Sequence, residues 1–334
     1  MPATPDRSIA VLPQLRAGLA SAPVSSLLRL LGFVARLTSG DVATRSDEKL
    51  VAAQKDLPRN FLTTAVLGQR ARSVRISDEI IPGPPAGLRV RLFSPDAPAS
   101  PAPGLLYLHG GGWVAGDIGI SEWWCSQVAA RTGSVVASLA YRLAPRHRFP
   151  DGLEDCYRAL EWLHENRHRL GIDPAQIGVA GDSAGGNLAA ALCLLARQRG
   201  GPAIVRQTLI YPALDLTLAS PSMLEKAEAP LLTKRAMQGF VHHYLGGKST
   251  AGEPLVSPLF AEDLAGLPPA LIQVAEHDPL RDDGWRYAAR LREAGVAVHI
   301  TEYAGAPHGF AALPGLTPLA GRALDEACQY LSRV

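Results

Sequence analysis

A strand-to-helix turn near the middle of the chain constrains the fold more than any other feature. The apolar, β-branched run of residues 177–180 breaks at the pentapeptide Gly-Asp-Ser-Ala-Gly of residues 181–185 and continues as a helical pattern. Small neighbours such as Gly181 and Gly185 permit a tight reversal, which lifts the Ser183 hydroxyl above a sheet edge. The G-x-S-x-G spacing therefore predicts an exposed nucleophile at the end of a buried strand.

A second strand-like run, Leu105 to His109, ends in three glycines, Gly110, Gly111 and Gly112. Backbone amides without neighbouring side chains can turn inward and donate to a developing oxyanion. Neither motif is decisive alone, since the pentapeptide occurs by chance and three glycines can form a turn or a phosphate loop. The chain has neither the G-x-x-x-x-G-K-[ST] pattern nor an acidic residue placed for a ribose, so the two motifs together favour acyl transfer.

Size and composition are typical of one α/β core with insertions. The chain has 334 residues, and its hydrophobic fraction of 47% supports a large buried sheet. With 33 basic and 31 acidic residues and no basic block, the sequence gives no indication of binding to nucleic acid or an anionic membrane. The cysteines form no C-x-x-C pair, which favours reduced thiols in a cytoplasmic protein; they are Cys125, Cys156, Cys193 and Cys328.

The N-terminal region predicts neither secretion nor stable membrane insertion. It lacks a basic start followed by an apolar core and a small-residue cleavage site, so we expect no signal peptide. The longest apolar stretch near the N-terminus, Val24 to Leu37, is interrupted by Arg29 and Arg36 and is too short to span a bilayer.

Eight strand-like runs follow residue 73, and from the third onward they alternate with helical patterns. The first two flank the turn-forming stretch Pro82 to Gly87 and predict an antiparallel hairpin. The alternation predicts parallel strands with helices on both faces, and hence an α/β-hydrolase fold around an eight-stranded, mostly parallel sheet. The runs are Val74 to Ile81, Leu88 to Phe93, Leu105 to His109, Ser134 to Ala140, Gln176 to Ala180, Gln207 to Tyr211, Leu271 to Ala275 and Val296 to Tyr303.

Two segments interrupt this alternation and predict a helical cap. The long gap after Tyr211 contains a helical patch, Lys234 to Leu245. Because an insertion there lies near the carboxyl edge of the sheet, we expect residues 1–50 and 213–250 to form a cap over a core of residues 51–212 and 251–334. Alternatively, both segments are extra helices that cover an exposed flank of the sheet. The N-terminal segment has apolar residues at helical spacing, namely Val24, Leu27, Leu28, Leu31 and Val34.

A serine nucleophile needs a base, and in this fold the histidine follows the acid along the chain. His308 is the preferred candidate, because it lies in a loop immediately after the eighth strand-like run. His277 ends the seventh run beside a carboxylate and is the rival. The pair His242 and His243 is expected on the cap surface.

The acid that orients the base is sought just after the seventh run. Asp278 follows that run and precedes Pro279, so its position favours it. Asp282 and Asp283 are expected in the first turn of the next helix, where carboxylates stabilise the helix dipole. Glu276 is a further candidate.

Taken together, these segments resemble the hormone-sensitive-lipase-like carboxylesterases, also called bacterial family IV lipolytic enzymes. The resemblance covers nearly the whole chain after residue 70. The matching segments are His109-Gly110-Gly111-Gly112, Tyr141-Arg142-Leu143-Ala144-Pro145, Gly181-Asp182-Ser183-Ala184-Gly185-Gly186, Tyr211-Pro212 with Asp215, Ser257-Pro258-Leu259, Asp278-Pro279-Leu280-Arg281-Asp282 and His308-Gly309-Phe310.

The resemblance implies site residues and an activity. It implies a catalytic triad of Ser183, Asp278 and His308, and an oxyanion hole formed by the backbone amides of Gly110, Gly111 and Ala184. His109 is implied to orient the glycine loop without transferring a proton. One departure is Arg146, which follows the Tyr-Arg-Leu-Ala-Pro segment where the family usually has an acidic residue, so a local salt bridge is in doubt.

The sequence thus predicts a serine carboxylesterase that acts on small esters and needs no cofactor. The resemblance favours short or medium acyl chains. Alternatives are hydrolysis of amides, lactones or carbamates by the same triad, or a small-molecule receptor that uses the pocket without turnover. A homodimer through the eighth strand is a further hypothesis, because that strand would be a sheet edge.

A second motif indicates different chemistry. The run from His164 to His168 matches H-E-x-x-H, whose two histidines would bind zinc from one helix face. It lies before the amino end of the fifth strand-like run, at the opposite edge of the sheet from Ser183. We therefore expect a solvated helix end and no metal.

Overall fold

A computed structural model describes residues 12–16, 18–39, 42–54, 60–84, 86–98 and 101–333, with an eight-stranded sheet at the centre. β2 is antiparallel to both of its neighbours, β1 and β4, and the remaining pairs are parallel. The order across the sheet is β1-β2-β4-β3-β5-β6-β7-β8. The predicted strands, hairpin and fold are confirmed. The strands are β1 (Val74–Ile81), β2 (Leu88–Pro95), β3 (Ala102–Leu108), β4 (Val135–Ala140), β5 (Ile172–Asp182), β6 (Gln207–Ile210), β7 (Ala270–His277) and β8 (Val298–Pro307).

Helices flank the sheet, and short 3-10 turns occur at Val42–Thr44, Pro258–Phe260 and Phe310–Ala312. None of the described helices has the length and apolar character needed to cross a bilayer. The helices are α1 (Leu12–Leu15), α2 (Ser26–Ser39), α3 (Asp47–Ala53), α4 (Phe61–Leu67), α5 (Glu122–Thr132), α6 (Asp151–Glu165), α7 (Arg167–Leu170), α8 (Ala184–Arg199), α9 (Ser222–Glu225), α10 (Lys234–Leu245), α11 (Arg281–Glu293) and α12 (Pro318–Leu331).

Alternate residues of the central strands pack on opposite faces of the sheet. In β3, Leu106 and Leu108 belong to the larger apolar core, whereas Leu105 and Tyr107 belong to the smaller one. α6, α8 and α11 contribute to the first core, and α5 and α12 to the second. Burial on both faces explains the near-continuous apolar runs in the sequence.

The N-terminal segment lies against several parts of the rest of the chain. Arg16 forms a two-pronged ion pair with Glu302 of β8, at 2.8 and 2.9 Å. The Gln54 amide donates to the carbonyl oxygens of Val114 and Ala144, at 2.9 and 2.6 Å. The segment is therefore joined both to the last strand and to the loop that follows β3.

The two predicted parts of the cap meet at more than one point. α10 packs against the turn Val42–Thr44, and a Cβ on Gly239 of α10 would overlap the Ala43 backbone. α2 lies against Pro230 instead, because Gly32 leaves room for the Pro230 carbonyl. Residues 1–11, 17 and 40–41 of the predicted N-terminal part, the side chains of residues 34–39 and Pro85 of the predicted turn lie outside the described residues.

The H-E-x-x-H motif does not lie on one helix. α6 ends at Glu165, and α7 begins at Arg167 after a turn at Asn166. The two histidines therefore lie on separate helices, whereas a zinc site of this type places both on one helix.

The first turn of α11 does more than complement a helix dipole. Asp282 and Asp283 lie there as predicted, but both are buried. Asp283 accepts hydrogen bonds from the backbone amides of Leu214 and Asp215 at 3.0 and 3.1 Å, and from the Ser220 hydroxyl. These carboxylates hold the segment after β6, a role that the helix dipole does not account for.

The same cluster contains a second buried carboxylate. Asp215 is paired with the buried Arg286 at 2.7 Å. Burial and the neighbouring Asp215 charge raise the pKa of Asp283. Replacing Asp283 by the neutral asparagine should therefore destabilise the fold less than replacing it by alanine, which removes both oxygen atoms.

We expect Asp283→Ala to lower the free energy of unfolding by about 3 kcal/mol, because two buried amides lose their acceptor. Asp283→Asn should lose less, since its amide oxygen can still accept from both. Urea denaturation would measure the difference. Asp325→Ala is the control, because Asp325 forms an exposed ion pair with Arg131. Equal stability of Asp283→Ala and the control would contradict the prediction.

Candidate active site

The strand-to-helix turn after β5 places Ser183 where the sequence predicts it. Ser183 has a φ of 56°, and α8 begins at the next residue. Its amide donates to the Ile210 carbonyl at 2.8 Å, which fixes the turn to the end of β6. A left-handed non-glycine residue is strained, and such strain is characteristic of functional turns.

Two glycines of the pentapeptide are required by close packing. A Cβ on Gly185 would overlap the Leu108 carbonyl at the end of β3, and one on Gly181 would overlap the Gly185 carbonyl. The first turn of α8 can therefore lie directly on the end of β3. This contact brings the serine and the glycine loop to one place.

A continuous hydrogen-bond chain links Ser183, His308 and Asp278. The distance between Ser183 Oγ and His308 Nε2 is 2.9 Å, and that between His308 Nδ1 and Asp278 Oδ2 is 2.7 Å. Because an ionised carboxylate only accepts, Nδ1 carries the proton and Nε2 is left to accept from the serine hydroxyl. The Asp278 side chain is buried, and its other oxygen accepts from the Leu280 amide at 2.9 Å.

The rival candidates have other partners. Asp282 accepts from the Ser222 amide at 2.9 Å, and Asp283 belongs to the buried cluster described above. His277 donates from Nε2 to the Ala22 carbonyl at 2.7 Å. Glu276 accepts from the amide of Gly305 at 2.8 Å. Of the four carboxylates considered, only Asp278 is hydrogen-bonded to His308.

The imidazole of His308 also has an aromatic neighbour. Its ring lies 4.8 Å from that of Tyr211, centroid to centroid. Tyr211 has a φ of 36°, and Phe310 packs on its ring at 5.7 Å. The aromatic contact with Tyr211 adds to the polar contacts that restrict the position of the histidine ring.

One amide of the predicted oxyanion hole already has an acceptor within the protein. The Gly110 amide already donates to Asp182 Oδ1 at 2.9 Å, so it is not available to a substrate oxygen. Among the described residues, the amides of Gly111, Gly112 and Ala184 have no protein acceptor. Ala184 directly follows Ser183 in the chain, and Gly111 and Gly112 belong to the loop after β3, against whose start the Ser183 turn packs.

His109 helps to fix the glycine loop. It is buried, donates from Nδ1 to the Gly110 carbonyl at 2.8 Å, and stacks on Tyr141 at 4.4 Å. The Tyr141 hydroxyl donates to the His109 carbonyl at 2.7 Å. Burial lowers the pKa of His109, so its neutral form is favoured.

Asp182 is a site residue whose role sequence reasoning missed. One of its oxygens accepts from both the Gly110 amide and the Tyr107 hydroxyl, the latter at 2.8 Å. Burial raises the pKa of Asp182 despite these hydrogen bonds. The signal was present, because Asp182 lies inside the pentapeptide, but only the folded loop reveals its partner.

A residue of α10 lies directly on the glycine loop. A Cβ on Gly112 would overlap the ring of Phe240 from α10. Gly112 itself has a φ of 60°, which favours glycine. The Phe240 ring therefore lies next to the Gly112 amide, which has no acceptor among the described residues.

The departure at Arg146 leaves the neighbouring ion pairs in place. Arg146 is exposed. Arg142 of the same segment forms a close pair with the buried Asp155 at 2.7 Å and a longer one with Asp151 at 3.4 Å.

The described part of the chain contains no group of three or more histidine, cysteine or acidic side chains that could hold a metal ion. All four cysteines are buried and form no disulfide.

Comparisons with known proteins place the chain among α/β hydrolases and esterases. A family model described as an alpha/beta hydrolase fold matches residues 105–312. Esterase LipI of Mycobacterium tuberculosis is 41% identical over 76% of this chain and 80% of its own length. Ethyl acetate hydrolase of Pseudomonas putida is 39% identical over 67% and 71%. The structure of a hyperthermophilic esterase from the archaeon Pyrobaculum calidifontis superposes with a TM-score of 0.83 at 34% identity, covering 93% of this chain and 98% of that one.

The packing at the Ser183 turn predicts that alanine destabilises the protein at Gly185 but not at Gly321. Gly185→Ala should lower the free energy of unfolding by about 3 kcal/mol or more, because backbone cannot move aside for the added methyl group. Gly321→Ala is the matched control: its Cβ would meet nothing within 4 Å in α12, and alanine should stabilise the helix by up to about 1 kcal/mol. Thermal unfolding of both variants would decide, and an unchanged midpoint for Gly185→Ala would refute the packing argument.

Proposed function

The chain belongs to the hormone-sensitive-lipase-like carboxylesterases of the α/β-hydrolase superfamily, and we propose that it cleaves short- to medium-chain esters with Ser183, His308 and Asp278. It is a carboxylic ester hydrolase. The observation that carries the assignment of residues is the hydrogen-bond chain from the buried Asp278 through His308 to Ser183, at 2.7 and 2.9 Å.

The proposed mechanism proceeds through an acyl-enzyme. His308 Nε2 accepts the Ser183 proton while Oγ attacks the ester carbonyl, and the same nitrogen then protonates the leaving alcohol. His308 Nε2 then deprotonates a water molecule that attacks the acyl-serine, and it returns this proton to Ser183 Oγ as the ester bond to the serine breaks and the acid leaves. Asp278 fixes the tautomer of the imidazole and stabilises the imidazolium that forms in each step.

The oxyanion that develops on the carbonyl needs donors in the loop beside Ser183. We assign this role to the amides of Gly111, Gly112 and Ala184, because these donors are free and that of Gly110 is occupied. Gly110 then acts through its bond to Asp182, which ties the loop to the nucleophile turn.

We propose the cap as the part that limits the substrate. It consists of residues 1–50 and 213–250. We extend its first part to Gln54, just after α3, because the Gln54 side chain holds this part on the core through the Val114 and Ala144 carbonyls. The ring of Phe240 on Gly112 narrows the space next to the oxyanion site, which supports small acyl groups. A homodimer through β8 is supported by its position at the sheet edge, and a cytoplasmic location stays a prediction.

The triad assignment predicts unequal losses. Ser183→Ala should fold normally and lose ester hydrolysis by roughly three to six orders of magnitude, since only binding and the oxyanion donors remain. Asp278→Asn should lower kcat by roughly 10⁴-fold through the wrong tautomer of His308. Hydrolysis of a panel of p-nitrophenyl esters measures both, and a fluorophosphonate probe should label every variant that keeps Ser183 and its base.

Two results would contradict the proposal. If Ser183→Ala kept a few per cent of the parent turnover, Ser183 would not be the nucleophile. If the fluorophosphonate probe did not label the parent protein, a receptor without turnover would be favoured. Asp283→Asn is the matched acid control, because it lies outside the hydrogen-bond chain and should keep kcat.

The Asp182 contact generates a separate prediction. Asp182→Ala should lower kcat by about 10²-fold with a smaller change in KM, because the glycine loop loses its tie and the oxyanion donors move. Tyr107→Phe removes the other donor to the same oxygen and leaves the Gly110 bond, so it should keep most of the activity. If Tyr107→Phe lost as much kcat as Asp182→Ala, the tie to Gly110 would not be the cause.

A further inference from the structure

The histidine loop depends on a change of register between the last two strands. Ala275 of β7 pairs with Tyr303 of β8, but His277 pairs with Pro307, so β8 contains two additional residues at this step. Continuing the first register would set His308 opposite Leu280. The second register sets it opposite Asp278, which is the residue that it contacts.

Glu276 lies where the register changes and holds the additional residues. Its Oε2 accepts from the amide of Gly305, in the middle of the additional stretch, at 2.8 Å. Gly305 has a φ of 72°, a conformation that favours glycine. A bulge of this kind leaves a backbone amide without a strand partner, and the Glu276 carboxylate supplies the acceptor.

The same carboxylate binds the N-terminal segment. The Ala22 amide donates to Oε2 at 3.0 Å, and the Ser21 hydroxyl donates to Oε1. His277 adds a bond from Nε2 to the Ala22 carbonyl at 2.7 Å. Burial opposes ionisation, but the donors Ser21, Gly305 and Ala22 together outweigh it and lower the pKa of Glu276. The carboxylate is therefore charged at neutral pH.

We infer that Glu276 is a positioning residue for the active site: its oxygen atoms hold the β7–β8 register change that sets His308 beside Asp278. Residues 21 and 22 of the N-terminal segment complete this support. The inference rests on the proposed function, because it concerns the alignment of the proposed triad. Glu276 itself touches neither Ser183 nor His308, so it acts through the loop that it holds.

The length of the side chain and its charge can be separated by two substitutions. Glu276→Gln keeps an oxygen that accepts from Gly305 and Ala22, whereas its amide group can donate to Ser21. Glu276→Asp keeps the charge but withdraws the oxygens by one methylene. We expect kcat of Glu276→Gln within about threefold of the parent and that of Glu276→Asp lower by about 10²-fold, with KM nearly unchanged, as for a misplacement of about 1 Å.

A spectroscopic measurement accompanies the kinetics. The proton between His308 Nδ1 and Asp278 should give a far-downfield NMR resonance in the parent and in Glu276→Gln, and the resonance should weaken or vanish in Glu276→Asp. The matched control is Glu302→Gln, because Glu302 of β8 is another carboxylate that binds the N-terminal segment, through Arg16, but it pairs opposite Val274, before the register change. It should leave kcat within about twofold of the parent.

Each outcome bears on one claim. The reverse order, with Glu276→Asp active and Glu276→Gln impaired, would show that charge matters and would overturn the positioning role. Unchanged kcat and an unchanged resonance in Glu276→Asp would overturn it as well. A loss in Glu302→Gln equal to that in Glu276→Asp would assign the effect to general loosening of the N-terminal segment. Failure of the triad itself would show separately, as turnover retained by Ser183→Ala.

Discussion

The contact between the first turn of α8 and the end of β3 is the constraint on which the rest of the site depends. Gly185 lets the α8 backbone lie directly on the Leu108 carbonyl. The separation between α8 and the end of β3 decides how near Ser183 lies to the loop that follows β3. A side chain at this position would separate the two. Asp182 then fastens the loop by a hydrogen bond to Gly110, so steric fit and polar contact act on the same few residues.

The fold could be predicted because its signals are local, and the residues of the proposed triad carry local signals as well. Strands buried on both faces give apolar runs, and a serine between glycines at a strand end is typical of a nucleophile turn. His308 and Asp278 followed from chain order and from their positions after β8 and β7. In each case neighbouring residues in the sequence carried the information.

Other parts of the site depend on contacts between distant segments, which a single sequence does not display. Nothing near Gly110 in the sequence indicates that its amide is occupied by Asp182. Asp282 and Asp283 have the pattern of an ordinary helix start, although they hold the segment after β6. The role of Glu276 was hidden for the same reason, because the register change between β7 and β8 exists only once the strands pair.

The attachment of the N-terminal segment also has a consequence for the order of events during synthesis. Arg16 and Ser21 leave the ribosome early, but their partners Glu302 and Glu276 lie 286 and 255 residues further along the chain. Leu12, which is buried in the folded protein, belongs to α1, which packs against α11, so this contact cannot form until residues 281–293 have been synthesised. The part of the segment that contains Arg16 therefore docks late, and a nascent chain that stops before β8 lacks Glu302, the partner of Arg16.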